Sequence, residues 1–125
     1  MKIEFQNVCR TFLLLALILH FVSCFWMAVT EANLNSSINW INENGLAEAG
    51  MMHQYMASFY WATVTCTTVG YGDILPTNGF ELLWAMIIIV FGVAIFAYVL
   101  SNLASQFSEI TKDNADTTER LEQIE

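Results

Sequence analysis

Apolar and polar residues are sharply segregated along this chain. From Phe12 to Val29 no residue carries a charge, and from Leu82 to Leu100 there is neither a charge nor a strong helix breaker apart from Gly92. As helices these stretches would be roughly 27–29 Å long, close to the thickness of a bilayer's hydrocarbon core. Two core helices of a soluble bundle would keep a polar face, and the runs from Ile87 to Phe91 and from Val93 to Ala97 have none. The pattern predicts an all-α membrane protein with an outer helix over 12–29 and an inner helix over 81–105. For the first span a signal peptide is the alternative, because Lys2 and Arg10 precede it. Against that, its apolar core exceeds the usual length and no clean small-x-small cleavage site follows.

The segment between the spans divides in three. Residues 30–50 are polar, rich in Asn, Ser and Gly, and read as an external loop. Trp40 and Ile41 suggest a short turn resting on the membrane surface, and Trp26 stands where an interfacial aromatic belt is expected. Asn35-Ser36-Ser37 fits the glycosylation acceptor pattern. Residues 51–67 are apolar and aromatic but end in threonines and glycines before they could cross a bilayer, which predicts a short re-entrant helix. Residues 68–73 then form a Gly-rich extended stretch. Non-helical backbone at membrane depth is tolerated only when buried in protein or lining a watery cavity, so the helix and the stretch together imply a re-entrant pore loop. Residues 1–11 are a cytoplasmic lead-in. Over 106–125, Phe107, Ile110, Leu121 and Ile124 recur at 3-4 spacing, which suits either a solvated amphipathic helix or one that meets copies of itself.

Composition agrees with this layout. Of 125 residues, 56% are hydrophobic and 13% charged, against about a quarter charged in a soluble domain. The basic residues Lys2, Arg10, Lys112 and Arg120 all lie outside the spans, whereas 30–80 holds Glu31, Glu43, Glu48 and Asp73 and no base. Positive residues stay on the cytoplasmic side, so both termini are expected there, in a multi-pass protein of the plasma membrane. The net charge of −8 then divides between an acidic external mouth, which concentrates cations, and an acidic tail. Membrane lipid is the expected surrounding and no nucleic-acid partner is expected. Cys9, Cys24 and Cys66 fall at unmatched depths, which argues against a disulfide framework. His20 and Cys24 share a helix face, where packing or an interhelical hydrogen bond is a better account than a metal site. No nucleophile–base pair, phosphate loop or metal cluster suggests an enzyme, and no cofactor is expected.

The chemistry concentrates in Thr68-Val69-Gly70-Tyr71-Gly72-Asp73. A cation leaves water only where something replaces its hydration shell at nearly equal free energy, and rings of backbone carbonyls can do so. An ordinary strand alternates its carbonyls. Turning successive ones to a single axis needs alternate residues in conformations costly to any residue with a Cβ, which accounts for Gly70 and Gly72. Thr68 can add its hydroxyl at the inner entrance, while Val69 and Tyr71 point away into the wall. One chain supplies one strand of such a ring, so about four copies are required.

Thr67 to Asp73 resembles the potassium-channel signature without a substitution, and Tyr60-Trp61 resembles the aromatic pair of that family's pore helix. The resemblance covers roughly residues 10–105. It implies a tetrameric pore in which K+ is the permeant ion, coordinated by Thr68, Val69, Gly70 and Tyr71. It also implies that the Trp61 indole donates toward Asp73 to brace the filter, with simple packing of Trp61 as the alternative. Val64 stands where some bacterial members carry a glutamate. Gly92 lies at the spacing of the family's hinge glycine, although close helix packing would also call for glycine. No Pro-x-Pro kink follows it. His20-Phe21-Val22-Ser23-Cys24-Phe25-Trp26 and Phe96 to Asn102 resemble segments of channels with cyclic-nucleotide-binding-type tails, with departures at Phe21 and Ser101. That superfamily includes the ether-à-go-go, plant inward-rectifying and hyperpolarisation-activated groups. Cyclic nucleotide would be a partner only if a further C-terminal domain follows. No helix with a base at every third position supplies a voltage sensor, so the expected parent is a six-span channel of which this is a part. A minimal two-span channel is the other possibility. A nonselective cation channel, or a non-conducting subunit that assembles with complete channels, are the competing functions.

Overall fold

The computed structural model describes residues 2–32 and 37–122, with side chains from Phe5 onward in the first helix. The Asn35 acceptor motif and Ile124 lie outside the described residues. Among the described residues four helices follow one another: α1 (Lys2–Ala32), α2 (Trp40–Glu43), α3 (Met51–Cys66) and α4 (Gly79–Glu122). No strand occurs among the described residues. α1 and α4 are each long and apolar enough to cross a membrane, and the chain has the all-α membrane fold. α4 has 44 residues in one unbroken helix, roughly 66 Å or about twice a hydrocarbon core.

The three long helices share a small core near the non-helical segment. Leu19, Val22, Ser23, Trp26 and Thr30 lie on one stripe of α1 at 3-4 spacing, and all are buried. Ser23 and Ser58 are fully buried at the α1–α3 contact, where the Ser58 hydroxyl donates to the Ser23 carbonyl at 2.8 Å. Small residues of this kind let two helix backbones approach closely inside a membrane. On the neighbouring face His20 Nδ1 and the Tyr55 hydroxyl are 2.8 Å apart, so His20 makes the interhelical contact of the two alternatives.

Trp26 is not a belt residue. It is fully buried, stacked on Trp61 with ring centroids 3.9 Å apart and on Trp40 at 5.8 Å. Trp40 likewise points into the core from α2 rather than resting on a membrane surface. An aromatic ring near a helix end suits either an interface or a core, and the helix stripe that Trp26 shares with Leu19 and Val22 turns it inward.

α2 is held by Asn39, whose side-chain carbonyl accepts from Asn42 N at 2.9 Å. α4 starts in the same way: Asn78 Oδ1 accepts from Glu81 N at 3.0 Å and the Asn78 carbonyl accepts from Leu82 N at 2.9 Å. An asparagine before a helix satisfies one of its orphan donors.

Candidate functional site

α3 ends at Cys66 and the chain turns back on itself through Thr68 N to the Thr65 carbonyl, 3.2 Å, and Gly70 N to the Val64 carbonyl, 2.9 Å. From there the backbone alternates. Thr68, Gly70 and Gly72 have φ of 65°, 55° and 73°, while Val69 and Tyr71 between them are outside the left-handed region. Glycine enters that region freely. Thr68 does not, since a β-branched residue there is a conformational outlier that costs about 1–3 kcal/mol. Three alternating left-handed residues are what a single strand needs to turn successive peptide units the same way. The side chains of Val69 and Tyr71 are exposed on this chain. Behind the segment, Trp61, Val64, Ile74, Leu82, Met86 and Ile89 line an apolar groove of about 540 Å³.

The brace on Asp73 comes from Tyr60, not Trp61. The Tyr60 hydroxyl donates to Asp73 Oδ2 at 2.7 Å, and Ile74 N donates to Oδ1 at 3.2 Å. Successive helical residues are about 100° apart, so the turn that aims Tyr60 at the extended segment aims Trp61 at Trp26, where it is buried. The Tyr60 hydrogen bond holds the Asp73 carboxyl below the usual carboxylate range. Trp61 therefore supports the segment by packing.

Gly92 is buried where α4 crosses the end of α3. A Cβ added there would stand 3.1 Å from Cys66 Cα and 3.4 Å from its Sγ. The close approach gives Gly92 a packing duty at this crossing, and α4 continues through it without a break.

One residue escaped the sequence reading altogether. Glu81, in the first turn of α4, is 0% exposed. Its Oε1 accepts from the Thr30 hydroxyl at 3.3 Å and from Trp40 N at 3.2 Å. Its Oε2 accepts from Thr77 N at 2.9 Å and the Thr77 hydroxyl at 3.0 Å. The available signal was Asn78-Gly79-Phe80-Glu81, an N-cap followed three residues later by Glu in the manner of a capping box. Here the carboxylate reaches beyond the cap, to the loop before it and to α1 and α2.

Several known proteins are similar to this chain in sequence. The family described as "Ion transport protein" matches residues 3–115. A cyclic nucleotide-gated cation channel of Drosophila melanogaster is 29% identical over 119 residues, 94% of this chain and 18% of that protein. Potassium channel AKT1 of Arabidopsis thaliana is 32% identical over 88 residues, 69% of this chain and 10% of that one. The pig voltage-gated inwardly rectifying potassium channel KCNH2 (Sus scrofa) is 25% identical over 104 residues, 72% of this chain and 9% of that one. The chain thus spans less than a fifth of the length of each of these relatives.

Proposed function

The chain belongs to the ion transport protein family, and from that premise we propose that it is a pore-forming subunit of a potassium-selective channel. The observation that carries the reading is the alternation of left-handed backbone at Thr68, Gly70 and Gly72 within Thr-Val-Gly-Tyr-Gly-Asp. Four copies about an axis form the ring. Carbonyls of Thr68, Val69, Gly70 and Tyr71, with the Thr68 hydroxyl, replace the hydration shell of K+ as it passes. The apolar groove behind each segment takes the neighbouring copy, which covers Val69 and Tyr71. Tyr60 and Asp73 brace the outer end, Trp61 backs it, and the inner helix moves about Gly92 to open the pore. Both ends of the chain lie in the cytoplasm, lipid surrounds α1 and α4, and the plasma membrane is the site of action. Cyclic nucleotide is a partner only if a further C-terminal domain follows.

Because relatives include a cyclic nucleotide-gated cation channel, selectivity is the point to test. The purified chain in liposomes should carry K+ flux with a reversal potential near the K+ equilibrium value in mixed K+ and Na+. Near-equal permeability would make it a nonselective cation channel. No flux from correctly assembled protein would make it a non-conducting partner of other channels.

A further inference from the structure

Glu81 sits outside the filter yet gathers three separate parts of the chain. Thr30 closes α1, Trp40 opens α2, and Thr77 lies in the loop that leaves the filter four residues after Asp73. All four of its hydrogen bonds come from donors, two backbone N–H groups and two hydroxyls. The group that fits is an acceptor at both oxygens, a carboxylate. Charge-assisted bonds of this type are stronger than neutral ones, and the first turn of a helix favours an anion. A glutamine of the same shape would present one acceptor and one donor, so one of the two backbone N–H groups would face an N–H.

We infer that Glu81 is a positioning residue for conduction: it anchors the filter's outer loop to the outer helix and to α2, and so sets how long the filter stays conducting. This rests on the filter reading above. Hydrogen bonds that fix the loop from Ile74 to Asn78 are few among the described residues: those of Thr77 go to Glu81, Asn78 caps α4 and reaches the Ile38 carbonyl at 3.1 Å, and Ile74 N donates to Asp73, while the Ile74 side chain packs against the core. Release of Thr77 frees the strand whose alternate residues already sit in left-handed backbone. The permeating ion opposes that release, because a ligand that binds one state stabilises it by mass action.

The test uses the whole chain, reconstituted as above, with sustained K+ flux measured alongside the assembled fraction. Glu81→Gln should assemble, keep its initial K+ over Na+ preference, and lose conduction about tenfold faster or more, in line with an unsatisfied buried donor. High external K+ should slow that loss. Thr77→Val and Thr30→Val, each removing one hydroxyl, should show smaller accelerations in the same direction. If Glu81 only aids folding, the assembled fraction of Glu81→Gln falls while surviving channels decay like wild type, which overturns the inference. Should Glu81→Gln not assemble, the two valine variants decide, and wild-type decay in both overturns it. Wild-type protein without selective flux would instead sink the function proposed above.

Discussion

Tyr60 and Trp61 are neighbours in sequence with different duties, and single substitutions separate them. Tyr60→Phe removes the only side-chain partner of Asp73 among the described residues and should speed the loss of conduction while leaving assembly unchanged. Trp61→Phe should leave that decay alone and lower thermal stability in detergent through its stack on Trp26. The pH dependence follows from Asp73. Its carboxyl is held below the ordinary range by Tyr60, so its contribution is complete above the ordinary carboxylate pKa of about 3.9 and is lost as external pH falls through the depressed folded value. Wild-type conduction should therefore resist external acid until below the ordinary range, and Tyr60→Phe should fail at a higher pH in the same flux titration. At this scale the special backbone at Gly70 and Gly72 was legible from sequence, because alternate glycines are a local fact. The partner of Asp73 was not, because it depends on how α3 is rotated, and a 100° step decides between two aromatic residues. Nor did the sequence announce that Thr68 shares the left-handed backbone of the glycines.

Among elements, the crossing of α4 over α3 is set by Gly92. Gly92→Ala gains about 1 kcal/mol of helix propensity and meets Cys66 Cα at 3.1 Å, an overpacking that costs about 1–3 kcal/mol. A net destabilisation of about 1 kcal/mol is expected by thermal unfolding in detergent. Because the nearest atom is backbone, Cys66→Ala should not rescue it, and a full rescue would place the strain on the sulfur instead. Trp26→Ala should cost about 3–5 kcal/mol by the same measurement, as for other buried large-to-small changes. The two spans were readable from their uncharged length alone. Their buried faces were not, since lipid and protein core are both apolar and a helix between them shows no polar stripe. That is why Trp26 could be assigned to the membrane surface while its ring lies inside.

In the ring proposed above, a single chain is one part of the whole molecule. Val69, Tyr71, Leu82, Met86 and Ile89 are exposed and apolar around the filter and its groove, where neighbouring copies would cover them. Cross-linking in detergent should give a ladder that ends at four chains, and a ladder that ends at two would rule out the proposed ring. Charge has a consequence at this scale too. Neutralising Glu43 and Glu48 should lower K+ flux at low ionic strength and leave it little changed at high salt, where the Debye length is short. α4 adds something mechanical. It is one stiff beam that rests at Gly92 against Cys66, with roughly 20 Å on the filter side and roughly 45 Å on the other, at about 1.5 Å per residue. With Gly92 as fulcrum, a swing of the long arm arrives at the filter end less than half as large and more than twice as forceful. On the topology proposed above, a small push on the far cytoplasmic end of this arm would be geared down into a short, strong stroke beside Glu81.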